Sequence, residues 1–82
     1  MKVSVEISFY PLKEEFGTPI LKFIDKLNEY SALTIKSNSM STQVFGDYGM
    51  VMDVLKEEIQ TSFSEEEIAV MVAQGSKQNF VF

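Results

Sequence analysis

Two short stretches of this chain hold the side chains best placed to do chemistry. In the first, Ser4, Glu6, Ser8 and Tyr10 occupy every second position. In the second, Ser41, Gln43 and Phe45 do the same. Successive side chains of a strand point to opposite faces, so each set forms one row. The rows offer a carboxylate, several hydroxyls, an amide and two aromatic rings. Such a set suits a flat, polar ring. Tyr10 and Phe45 would stack on it, Gln43 and the serines would meet its edge, and Glu6 would face a positive centre. The chain has no histidine, no cysteine and no arginine. Serine–histidine and cysteine–histidine catalysis is therefore excluded, the commonest transition-metal ligand is missing, and no bidentate anion clamp can form. Acid–base work would fall to Glu6 and Tyr10 alone. The expectation is a ligand site with no catalytic residue, no metal and no cofactor. The competing reading of the same rows is the solvent face of an antiparallel sheet.

The elements that must position these rows follow in order. Residues 2–10 alternate apolar and polar, with Val3, Val5, Ile7 and Phe9 on the core side, and Pro11 ends the strand. A polar connection follows, with Phe16 as its one apolar anchor. Thr18 and Pro19 read as a hydroxyl N-cap and a first helical residue, opening a helix over 18–30. Its apolar stripe is Ile20, Phe23, Ile24 and Leu27. A short strand over 33–36 leads into Ser37-Asn38-Ser39, which is turn chemistry, so the next strand (40–45) closes a hairpin. Gly46 reads as a backbone release and Asp47 as the cap of a second helix over 47–63, with Val51, Leu55, Ile59 and Phe63 inward. The runs Glu57-Glu58 and Glu65-Glu66-Glu67 read as solvated charges, since their spacing is not that of a calcium loop. A fourth strand spans 68–73, and Gly75-Ser76 breaks it. Ala69, Met71 and Ala73 are expected to flank the polar rows. The apolar tail at 75–82 reads as an added strand or a subunit contact.

Strand, helix, strand, strand, helix, strand is the ferredoxin-like β-α-β-β-α-β order. It predicts one α+β domain over 1–82, with a four-stranded antiparallel sheet and two helices on one face. At 82 residues such a domain has a thin core, so association with a second copy is physically attractive. The net charge of −5 and seven scattered lysines oppose a nucleic-acid partner. No apolar run approaches the ~20 residues of a membrane span, and the alternating start is not a signal peptide, so a cytoplasmic location is expected.

The segment Val5-Glu6-Ile7-Ser8-Phe9-Tyr10-Pro11-Leu12, together with Met40-Ser41-Thr42-Gln43-Val44-Phe45-Gly46-Asp47-Tyr48 and the helix after it, resembles the YkoF-like thiamin/hydroxymethylpyrimidine-binding family. The resemblance covers residues 3–73. It implies a non-enzymatic protein that binds thiamin or its hydroxymethylpyrimidine precursor and assists its uptake or handling. Some members carry two such domains in tandem, so this single domain would pair with itself as a dimer or tetramer. The resemblance further implies that Glu6, Ser8, Tyr10, Ser41 and Gln43 contribute to the ligand site. The alternative is an ACT-like structural or regulatory self-association module, whose open face is filled by a partner rather than a ligand. A small ferredoxin-like enzyme and an RNA-recognition domain are the remaining readings. The first has only Glu6 and Tyr10 to work with, and the second lacks basic charge.

Overall fold

β1 (Lys2–Pro11) places every other element, because both of its edges are used. A computed structural model describes residues 1–78. On one side β1 pairs antiparallel with β3 (Thr42–Asp47), from Lys2 opposite Asp47 to Ile7 opposite Thr42. On the other it pairs antiparallel with β4 (Ala69–Gln78) along its whole length. β2 (Thr34–Ser37) adds to the outer edge of β3, giving the sheet order β2-β3-β1-β4. The two helices, α1 (Gly17–Asn28) and α2 (Tyr48–Glu65), lie on one face. This is the predicted ferredoxin-like α+β sandwich. No helix among the described residues is long and apolar enough to cross a membrane.

The hydrogen-bonding parity of β1 can be read from its two ends. The Tyr48 N–H donates to the Met1 carbonyl at 2.9 Å, and the Leu12 N–H donates to the Ile68 carbonyl at 3.0 Å. Main-chain groups of successive strand residues point to opposite edges. The odd residues of β1 therefore face β3, and the even residues face β4.

The core lies between the sheet and the helices. Val3, Val5, Ile7 and Phe9 of β1 and Val44 of β3 meet Phe23 and Leu27 of α1 and Val51, Val54 and Leu55 of α2. Burying each such side chain contributes about 1.5–3 kcal/mol. Phe9 and Phe23 add an edge-to-face contact with ring centres 5.6 Å apart. Gly46 keeps a negative φ. Its value is room, not freedom, because a Cβ there would stand 2.7 Å from Leu33 Cδ2.

Several local expectations are corrected. α1 begins at Gly17, and Thr18 is inside it. The Glu15 carboxylate does the capping, accepting from the Thr18 hydroxyl at 2.9 Å and the Thr18 N–H at 3.3 Å. Asp47 sits at the N-cap of α2 but makes no capping bond. Its carboxylate faces the Met1 ammonium at 3.9 Å and Lys2 at 3.5 Å. Phe63 is exposed, and its inward place is taken by Val54 and Glu58. Glu58 is not solvated: it is buried and accepts a 2.7 Å hydrogen bond from the Tyr30 hydroxyl. That bond, with burial and the nearby negative charge, pushes the Tyr30 phenol up to about 12. Glu66 pairs with Lys13 at 2.9 Å, its side chain largely covered, and Glu65 pairs with Lys22 at 2.7 Å.

β4 differs most from expectation. It runs through Gly75 and Ser76, because β1 supplies ladder partners down to Lys2. Ala69 and Met71 pack against the core, and Ala73 shares their face opposite Ile7. The flank of the polar rows is instead Val70, Val72, Gln74 and Ser76, facing Tyr10, Ser8, Glu6 and Ser4. A one-residue change of phase reverses every side chain of a strand, and both phases of this segment are apolar. The expectation for the tail at 79–82 lies outside the described residues.

Candidate ligand-binding cleft

The predicted site residues divide between two regions. Glu6, Gln43 and Phe45 stand on the open sheet face with Ser4 and Ser8. The register lines up Gln74, Glu6, Gln43 and Lys36 across all four strands, and Ser76, Ser4, Phe45 and Thr34 beside them. The Lys36 ammonium sits 5.8 Å from the centre of the Phe45 ring, within the range of a cation–π contact. Val70 and Val72 are exposed on this face. Glu6, Ser8, Gln43 and Phe45 line neither the cleft at the sheet end nor the one between the helices.

Tyr10 and Ser41 belong to the cleft at the sheet end. Its volume is about 280 Å³. It exists because β1 is longer than β3. Pairing between them stops at Ile7 and Thr42, so β1 continues past the end of its neighbour. The gap is roofed by α1 through Ile20, Phe23 and Ile24, and rimmed by Leu12 and Phe16. Asn38, Ser39, Met40 and Ser41 of the β2–β3 turn close the far side. Tyr10, Leu12, Phe16 and Met40 are all exposed large apolar side chains. Such clustering of uncovered apolar surface makes this cleft the candidate site.

The turn is held open by its own chemistry. The Asn38 side-chain oxygen accepts from the Met40 N–H at 2.7 Å and the Ser41 N–H at 2.9 Å. The Ser8 hydroxyl donates to the Met40 carbonyl at 3.1 Å. Met40 is the residue that would meet Phe9 if the β1–β3 register continued. Both of its main-chain groups are engaged elsewhere. By parity the Phe9 N–H and C=O point to this edge, where β3 supplies no partner. The cleft thus combines an apolar roof, aromatic rims, small polar groups and a free strand edge.

A second cleft, about 180 Å³, lies between α1 and α2 and the β1–α1 connection. Two of its lysines, Lys13 and Lys22, are paired with Glu66 and Glu65, so its charges largely answer one another. No group of three or more acidic side chains able to hold a metal ion occurs among the described residues.

Sequence reasoning missed the cleft's apolar walls. Phe16, a lone aromatic in a polar connection, was the available signal. The main-chain edge at Phe9 had none, because it depends on where β3 ends.

No protein-family model matches this chain, and no curated protein matches it. Solved structures do. A proposed thiamine biosynthesis/salvage protein of Thermotoga maritima superposes with a TM-score of 0.85 at 21% identity, over 95% of this chain and 85% of that one. A hypothetical protein of Methanocaldococcus jannascii gives 0.82 at 24% identity, over 95% and 81%. A protein of Streptococcus pneumoniae gives 0.75 at 21% identity, over 96% and 89%. At these identities the likeness establishes the shared fold.

Proposed function

We propose that this chain is a non-enzymatic binding protein for thiamin or its hydroxymethylpyrimidine precursor, acting in the cytoplasm in uptake or handling of the compound. The observation that carries the reading is the end cleft. It is just under the usual size range of small-ligand pockets and has their usual make-up, apolar walls with a few polar groups. It would take the pyrimidine ring whole. Tyr10 and Phe16 offer aromatic faces, and Ser39 and Ser41 offer hydroxyls. The fold shared with a proposed thiamine biosynthesis/salvage protein supports the same reading. The acidic balance suits a cationic ligand, within the ~8 Å reach of charge at physiological salt. Without arginine, the unphosphorylated compound is the expected partner.

Calorimetry with thiamin and hydroxymethylpyrimidine tests this. Saturable binding is expected, weakened about tenfold, or roughly 1.4 kcal/mol, by Phe16→Ala and less than twofold by Glu6→Gln. A loss confined to Glu6→Gln would move the ligand to the open face. No binding of either compound would sink the reading.

A second role, self-association, is favoured by the open face. Val70 and Val72 are exposed there beside Tyr10. Lys36 and Glu6 flank Gln43 in one cross-strand row. A twofold axis through Gln43 would set Lys36 of one copy against Glu6 of the other. The chain is therefore read as a homodimer, with the tetramer as its further assembly.

A further inference from the structure

We propose that the main chain of Phe9, not a side chain, reads the ligand's hydrogen-bonding edge. The inference rests on the cleft reading above and specifies which ligand chemistry the cleft selects. Three observations carry it. The β1–β3 register ends at Ile7 opposite Thr42. The odd residues of β1 turn their main-chain groups toward β3, as the Met1–Tyr48 bond fixes. The natural partner, Met40, has its N–H on Asn38 and its carbonyl on the Ser8 hydroxyl.

Phe9 itself is 8% exposed, and it lines the cleft. A main-chain amide in such a place, beyond the last ladder pair of β1 and β3, is costly to leave without a partner. In an extended residue the N–H and the C=O lie side by side and point the same way, donor next to acceptor. The complementary edge is an acceptor beside a donor. A 4-aminopyrimidine presents that edge, with its ring nitrogen next to its amino group. The Phe9 N–H donates to the ring nitrogen, and the Phe9 carbonyl accepts from the amino group. Ser8 and Asn38 act as positioning residues, since they fix the turn with the Met40 carbonyl and N–H bonded to them rather than to the Phe9 edge. The site would then reject a 4-oxo pyrimidine, in which the ring nitrogen carries the hydrogen and the substituent accepts. Both contacts would become unpaired, and a site built around a buried polar edge discriminates strongly against such an analogue.

The experiment combines calorimetry with thiamin and with its 4-oxo analogue, oxythiamin, and amide hydrogen exchange read residue by residue. Oxythiamin is expected to bind at least thirtyfold more weakly than thiamin. Saturating thiamin is expected to slow exchange at the Phe9 amide at least tenfold, while the Ile7 amide, already in the ladder, changes little. Equal affinity for the two compounds, or thiamin bound with Phe9 exchange unchanged, would overturn the inference and leave the cleft reading standing. No saturable thiamin binding at all would overturn both.

Discussion

The open sheet face and the end cleft share the strand β1, yet they are opposite kinds of surface. On the open face the rows of all four strands are in register, the two central strands are paired on both sides there, and side chains meet the outside. At the cleft one strand outruns its neighbour, and the backbone itself is offered. The face is broad and suited to another flat protein surface. The cleft is concave, walled by α1, and suited to a small ring. A polar row on a strand does not by itself distinguish these uses. What distinguishes them is whether the neighbouring strand continues.

The largest expected effect tests the face. Val72→Lys places a charge, without any cavity, among exposed valines opposite Ser8. It should weaken self-association at least a hundredfold, about 2.7 kcal/mol, as read by sedimentation, while thiamin affinity changes less than twofold. An unchanged oligomer would remove the open face as the interface. A parallel loss of thiamin binding would show that the two regions are not independent.

A smaller effect tests the cleft. Asn38→Ala deletes the acceptor of two turn hydrogen bonds. Stability should fall by about 1–2 kcal/mol in urea denaturation. Thiamin affinity should fall roughly tenfold as the turn loses its fixed distance from β1, with association untouched. Full affinity in the destabilised variant would mean that the turn does not shape the site.

The smallest effect belongs to neither region and serves as a control. Tyr30 is pushed up to about 12 from the ordinary 10 by its bond to Glu58. The phenol is favoured in its protonated form by folding. Its contribution is therefore complete below pH 10 and is lost as the pH rises toward 12. Tyr30→Phe should flatten that alkaline decline and leave both ligand affinity and association unchanged at neutral pH. An alkaline stability profile identical to wild type would refute the assignment.

Much of the architecture was legible because periodicity carries it. The alternation of Val3, Val5, Ile7 and Phe9, and the helical spacing of Phe23 and Leu27, each encode one buried face. Placement of Glu6, Gln43 and Phe45 on one open face followed from the same rule. The phase of β4 did not, since Val70 and Val72 are as apolar as Ala69 and Met71. Glu58 looked like a surface charge because only packing brings Tyr30, far away in sequence, to its carboxylate.

The amino-acid sequence by itself determined the order of elements, the side of each regular strand that meets the core, and the exclusion of histidine-, cysteine- and arginine-based chemistry. These are local properties, set by side-chain type and spacing. Only the tertiary structure decided where β3 stops against β1, which way β4 faces, and that a cleft opens at Phe9. Those depend on pairing between segments some thirty or more residues apart, where the register is chosen by the packing of the whole sheet under its two helices.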